Sequence, residues 1–440
     1  MMTPSATQIG AHSRRIVGLR LLPFLFILYT VNYVDRTNLA YAAVGMSREL
    51  GFSDRVFGLG AGIFFISYLA LQIPDALLVE RWSARRMISA TMIAWGSLTV
   101  LTALVHTPAE LYLARFVLGA AEAGFFPGVI VYLSHWFIFE DRAKATGNFM
   151  GAIPLSAVLG SPLAGWILGR SWLGFLGWRW LFVVEGAPAV LLGVVAFFFL
   201  TDWPRQAAWL TAEQRKWLEQ KLKEERPPCT AAITVWQAMR SPAIAWMATL
   251  TFLAYIGQYT FVFWFPTMLE RLTGFTDMRV GMVGALPFVA GFVAMQVNGW
   301  HSDKQGERRW HAAMPLFVAG IAYFFLSIPG HSVVSTVGWL TVAGVLIAYL
   351  PTFWAIPTEI LSQAEAATAV GLINSVGSIA GFAGPYIFGY VYERTGGSFS
   401  LGLSFVMAAA LIAGLMILRI PKAAPRISAS QVVRPATASS

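Results

Sequence analysis

Cysteine, charge and metal-ligand motifs are all scarce in this chain. The single Cys229 in 440 residues excludes a disulfide framework. No CxxC or HExxH spacing occurs and the six histidines are scattered, so no residue set stands out as a metal site. Charged residues make up only 12%, about half the share of a typical soluble domain. With 31 Lys+Arg and 22 Asp+Glu, a soluble chain of this size could not cover its surface with polar groups; a chain solvated by lipid need not. Neither a cluster of metal ligands nor a nucleophile–base pair interrupts the apolar runs, so the chain reads as a non-enzyme without a cofactor. The net charge of +9 does not indicate nucleic acid, because the basic residues sit in short clusters without interleaved stacking aromatics. A cleavable signal peptide is not expected either: Arg14, Arg15 and Arg20 precede an apolar stretch too long for one.

What abounds is apolar length. Hydrophobic residues are 57% of the chain, and they fall into runs of the roughly 20 residues that a helix needs to cross a bilayer core. Six lie at about 19–45, 56–79, 87–106, 109–137, 143–169 and 178–201. Six more lie at about 243–270, 280–301, 310–329, 333–358, 366–392 and 398–420. The pattern predicts an all-α polytopic membrane protein of twelve spans in two six-helix halves, residues 16–201 and 243–420. Residues 202–242 form a polar linker in which Thr211 and Gln214 fit a capping box and Glu219–Lys223 an i,i+4 pair. Pro227–Pro228 is expected to end that helix. Residues 1–15 and 421–440 read as tails, the second disordered.

Charge placement predicts orientation. The N-terminus, the even-numbered loops, the linker and the C-terminal tail hold 22 of the 31 Lys and Arg, and the odd loops hold seven. Both termini are therefore expected in the cytoplasm. The halves also echo each other. Glu80-Arg81-Trp82-Ser83-Ala84-Arg85-Arg86 follows span 2, and Asp303-Lys304-Gln305-Gly306-Glu307-Arg308-Arg309 follows span 8, 223 residues later. Paired six-helix halves are how many secondary transporters build a midplane site with alternating access. Glu80, Arg81, Arg85, Arg86, Asp303, Lys304, Arg308 and Arg309 are accordingly candidate gating-loop residues.

Four ionisable residues within the apolar runs stand out: Asp35 and Arg36 in span 1, Arg115 and Glu122 in span 4. Charges at membrane depth are costly and usually functional. At 1.5 Å per residue Asp35 lies about 15 Å below the outer end of span 1 and Arg115 about 9 Å below that of span 4. If those spans pack together, Asp35 and Arg115 meet; the pair could be structural. Glu122 lies in Gly119-Ala120-Ala121-Glu122-Ala123-Gly124, whose small neighbours leave room for a helix contact or a cavity. A carboxyl group removed from water can bind and release a proton near neutral pH. An arginine cannot, but its planar fork suits a substrate carboxylate. Together these groups point to a proton-coupled carrier of an organic anion. The glycines of spans 5 and 11 read first as close helix packing. Asn374 could contact substrate or bond between helices. Tyr33, Tyr68 and Trp354 could line a cavity.

These runs resemble the anion:cation symporter family of the major facilitator superfamily. The resemblance rests on Asn32-Tyr33-Val34-Asp35-Arg36-Thr37-Asn38, on Arg115 through Gly119-Ala-Ala-Glu122 to Pro127-Gly128, and on Gly177-Trp178-Arg179-Trp180 through Glu185 to Pro188. The linker runs Leu200–Pro204 and Trp209–Glu213 are similar to the branch carrying tartrate, phthalate and hydroxyphenylacetate. The resemblance covers residues 15–420 and implies proton-coupled uptake of a small carboxylate across a bacterial inner membrane by a monomer. It implies proton-linked roles for Asp35 and Glu122, arginines at Arg36 and Arg115 that bind substrate or pair with those acids, and substrate contacts from Tyr33, Tyr68, Trp354 and Asn374. Ala76 and Ser83 replace glycines usual in the superfamily's first gating loop. Ile153–Pro154 lacks the glutamine of sugar-acid carriers, which favours a smaller or more aromatic acid. A sugar-acid symporter and an anion exchanger remain the alternatives.

Overall fold

The computed structural model describes residues 6–225, 235–360 and 363–421, without the side chains of some helical positions, Glu80 and Arg81 among them. Its helices form twelve rods in chain order. Span 1 is Ala6–Leu50, span 2 Asp54–Arg81, span 3 Ala84–Thr102, and span 4 the pair Pro108–Glu122 and Phe125–Trp136. Span 5 is Phe139–Met150 with Ala152–Leu168, and span 6 Gly177–Phe199. Span 7 is Pro242–Thr273, span 8 Asp277–Gln305, span 9 Arg309–Ser327, and span 12 Ser400–Leu418. Span 10 runs through Val333–Ala343, a 3-10 turn at Gly344–Tyr349 and Leu350–Ile360; span 11 joins Gln363–Ser378 to Ala380–Arg394. Eleven of these are long and apolar enough to cross a membrane. Span 3, with Arg85 and Arg86 in its first turn, is the twelfth rod, 19 residues and so about 28 Å long.

Packing inside each half follows one plan. Spans 3 and 6, 2 and 4, 1 and 5, and 1 and 6 pack in the first half; spans 9 and 12, 8 and 10, 7 and 11, and 7 and 12 repeat those contacts in the second. Between the halves, span 5 packs on span 8 and span 11 on span 2. The repeated charged loops after spans 2 and 8 are thus signs of a real internal symmetry.

The halves meet at the end of the bundle distant from both termini, here the far end. Gly165 and Gly281 bring spans 5 and 8 into backbone contact: a Cβ on Gly165 would lie 2.6 Å from the Gly281 Cα. Ser161 donates to the Gly281 carbonyl at 2.7 Å. A Cβ on Gly58 would lie 2.8 Å from the Pro385 carbonyl oxygen in span 11. Small residues at these crossings let backbone dispersion and polar contacts replace the hydrophobic drive that lipid cannot supply. Ion pairs close the same end. Arg271 forks onto Asp54 at 2.7 and 3.0 Å, and Arg48 pairs with Glu270 and approaches Asp277 at 3.7 Å.

At the terminus-bearing end, the charged loops are tied to nearby helix ends. The Asp202 carboxylate accepts from the Ser83 hydroxyl and the Arg85 amide at 2.7 and 2.9 Å, capping span 3. Arg308 pairs with Asp303, Arg309 donates to the Ile420 carbonyl at 3.0 Å, and Lys304 lies 5.3 Å from the Trp300 ring. In the linker, Thr211 and Gln214 form the expected capping box of helix Ala212–Glu224. Among the described residues, the ion pair of that helix is Lys221–Glu224 at 3.0 Å, three residues apart, rather than Glu219–Lys223. Pro227–Pro228 and the tail from residue 422 lie outside the described residues.

Candidate transport site

Span 1 carries its polar residues on several faces, and packing decides which neighbour each one meets. Asn32 and Arg36, four residues apart, share one face and converge on span 4. The Glu122 Oε1 accepts from Asn32 Nδ2 at 2.8 Å and from Arg36 Nε at 2.9 Å, with the Arg36 Nη2 also bonded. Glu122 is the last residue before the break in span 4. One turn earlier, Gly119 lets span 4 close on span 2: a Cβ there would lie 2.2 Å from the Phe64 carbonyl oxygen.

The Arg36 guanidinium is enclosed by rings, 5.1 Å from Tyr33, 5.0 Å from Tyr68 and 5.6 Å from Phe64. It keeps 12% of its side chain accessible, against 2% for Glu122. The opposite half supplies neutral polar groups and aromatics. Tyr255 donates to Asn374 Oδ1 at 3.3 Å and packs edge-on against Tyr259. Trp354 is also a hydrogen-bonding neighbour of Tyr255. Tyr259 touches Phe65 of span 2 at 4.7 Å between centroids, which joins the two sets of residues. Of the residues the sequence singled out, Tyr33, Arg36, Tyr68 and Glu122 come together on one side and Trp354 and Asn374 on the other.

Asp35 and Arg115 do not form the ion pair that their similar depth suggested. Asp35 points away from the Arg36 face, accepting from Thr99 at 2.8 Å and from Asn38 at 2.8 Å. Arg115 is fully buried, donates through Nε to the Gly60 carbonyl at 3.3 Å and lies 4.8 Å from the Phe64 ring. Depth along a helix was readable from residue counts; the azimuth was set by packing. Asn32, Thr99, Tyr255 and Tyr259 were missed as site residues. For Asn32 the signal was available: it sits one turn before Arg36 on the same face.

A central cation–carboxylate pair, ringed by aromatics between two symmetric six-span halves that close one end, defines a membrane transporter. Residues 25–385 match the Major Facilitator Superfamily, and the chain belongs to that family. It is 40% identical over 95% of its length to a protein of Agrobacterium vitis named as a tartrate transporter, 93% of which is covered. It is 34% identical over 92% of its length to the quinolone resistance transporter of Acinetobacter baumannii, with 93% of that protein covered. Its fold is similar to that of a bacterial homologue of the human lysosomal transporter Spinster in an inward-facing, occupied conformation. There the TM-score is 0.74 at 20% identity, over 90% of this chain and 95% of that one. The protein is a multi-pass membrane transporter of small organic substrates and not an enzyme.

Proposed function

We propose that the protein imports a small organic anion, a carboxylate of the tartrate class, together with protons. The observation that carries this reading is the sharing of Arg36. Its guanidinium is the accessible charge of the site, and Glu122 occupies it. A substrate carboxylate must compete for that fork, and protonation of Glu122 releases it. Proton and anion then bind in support of each other, which is the requirement for symport. Tyr33 and Tyr68 flank the anion on one side; Trp354 and Asn374 select its remaining groups on the other. Arg115 steadies the interior of the first half from its buried position. With the termini in the cytoplasm of a bacterial inner membrane, the closed far end makes this the inward-open state of a monomeric carrier. The charged loops after spans 2 and 8 would then close the other end.

The test is uptake of labelled tartrate into cells or proteoliposomes with and without a protonophore. Accumulation that collapses with the proton gradient supports symport, and accumulation indifferent to it overturns the coupling. The relative named for quinolone resistance keeps export as a second reading; Arg36 favours anions, and tartrate counterflow without a proton gradient would identify an exchanger.

A further inference from the structure

Glu185 has no part in the site above, yet it is buried in the membrane interior. It lies eight residues into span 6, is 4% exposed, and its Oε2 has no hydrogen-bond partner among the described residues. Span 6 is pressed against span 3 beside it: a Cβ on Gly186 would lie 2.8 Å from the Gly96 carbonyl oxygen and 3.0 Å from Thr99 Cβ. Thr99 is the residue whose hydroxyl donates to Asp35. The two carboxyl groups are therefore linked through Thr99 where spans 3 and 6 meet, and they are electrostatic neighbours.

The groups around the two carboxyls can be enumerated. Span 1 contributes Asp35 and Tyr41, span 3 the neutral Thr99, and span 5 the neutral Ser161 beside Tyr41. From span 4, Arg115 and Glu122 act on Asp35. Arg179, on span 6 itself, is taken by Glu49 at 3.0 Å and the Ala103 carbonyl at 2.6 Å near the far end. Setting that pair aside, the charged groups here, among the described residues, are three carboxyls (Asp35, Glu122, Glu185) and two guanidiniums (Arg36, Arg115). Arg36 is bonded to Glu122. Arg115 acts on Asp35 and Glu122, and its two Nη atoms have no hydrogen-bond partner, whereas the charged neighbour of Glu185 is the like-charged Asp35. One negative charge is left without a counter-charge in a setting where an isolated ion is strongly disfavoured.

We propose that Glu185 and Asp35 form a second proton-binding site, enclosed within the first half and separate from the Arg36–Glu122 pair. Glu185 carries the proton while Asp35 remains ionised, held by Thr99 and Asn38. The site's contribution to coupling rests on the symport reading; its occupancy by a proton does not.

Infrared spectroscopy of the purified, reconstituted protein tests this without any substrate. The wild type is expected to show the C=O stretch of a neutral carboxylic acid at neutral pH. Glu185→Gln should remove that band, and Glu122→Gln should retain it. Asp35→Asn should shrink it, because the neighbouring like charge that favours a proton on Glu185 is then gone. A wild type without the band, or a band that survives Glu185→Gln, overturns the proposal. Should Glu185→Gln fail to fold, an undiminished band in Asp35→Asn overturns it equally. Loss of the band in Glu185→Gln, with tartrate uptake indifferent to a protonophore, would leave the site standing and remove the symport reading alone.

Discussion

The two halves share a packing plan but not a chemistry. Among the described residues, the buried charged side chains are Asp35, Arg115, Glu122, Arg179, Glu185 and Asp202, all from the first half or the start of the linker. The buried polar groups of the second half are hydroxyls: Thr251, Thr260, Thr267, Ser302, Thr336, Thr352 and Ser378. Internal symmetry therefore fixes where helices cross without fixing what they carry. A charge buried in lipid-solvated protein needs counter-charges close by, so ions are best gathered in one half, where they can satisfy each other. The other half is then free to present Tyr255, Tyr259 and Asn374 to the neutral parts of a substrate.

The largest test of this division removes the accessible cation. Arg36→Ala is expected to lower uptake at least about 100-fold, since breaking a buried ion pair costs about 3–5 kcal/mol and leaves Glu122 uncompensated. Glu122→Gln should be selective: substrate exchange persists while proton-driven accumulation is lost. Full accumulation by Glu122→Gln would remove that residue from the proton pathway. In the second half, Asn374→Ala should raise the KM for tartrate by about 5- to 10-fold, the value of one lost neutral hydrogen bond of about 1–1.5 kcal/mol, with the proton dependence unchanged. A change in coupling from Asn374→Ala would break the division between ion-handling and substrate-selecting halves.

The far-end clasp gives a smaller, conformational test. Arg271–Asp54 is a partly exposed pair, of the kind worth about 1 kcal/mol or less. Asp54→Asn should shift the population toward the far-end-open state by up to about fivefold. A cysteine placed at Thr267, which lines the small cavity beneath the clasp with Phe57 and Trp264, should then react faster with a water-soluble thiol reagent. An unchanged rate would mean that the Gly165–Gly281 and Gly58–Pro385 contacts hold the closure alone.

Composition and periodicity made the twelve rods legible, because lipid demands some 20 apolar residues per crossing whatever the fold. The repeat of the charged loops likewise pointed to the symmetry. Azimuth was not legible: a helix turns about 100° per residue, so adjacent Asp35 and Arg36 face different neighbours and their partners could not be assigned from depth. Glu185 shows the limit of attention rather than of physics. It stands in an apolar run whose nearest base, Arg179, lies six residues away, and the rule that marked Asp35 and Glu122 applied to it equally.

The smallest prediction compares the two halves at their terminus-bearing ends, where each needs an acid to cap the span after its charged loop. Span 3 borrows Asp202 from beyond span 6. Span 9 uses Glu307, whose carboxylate accepts from the Arg309 and Trp310 amides at 3.0–3.1 Å and meets His311 at 3.1 Å. Partial burial alone would push the Glu307 carboxyl up, but those amides and His311 outweigh it and hold it below the usual range. A carboxyl lowered in the folded state stabilises above its unfolded value and loses that contribution as pH falls through the folded one. Glu307→Gln should therefore cost about 1 kcal/mol at neutral pH, and the difference from wild type should close in acid. Thermal unfolding in detergent at neutral and acid pH measures it. A gap that stays constant with pH would assign the cap to shape rather than charge, and would leave Asp202, tied to Ser83 as well as to a backbone amide, as the ionic cap of the pair.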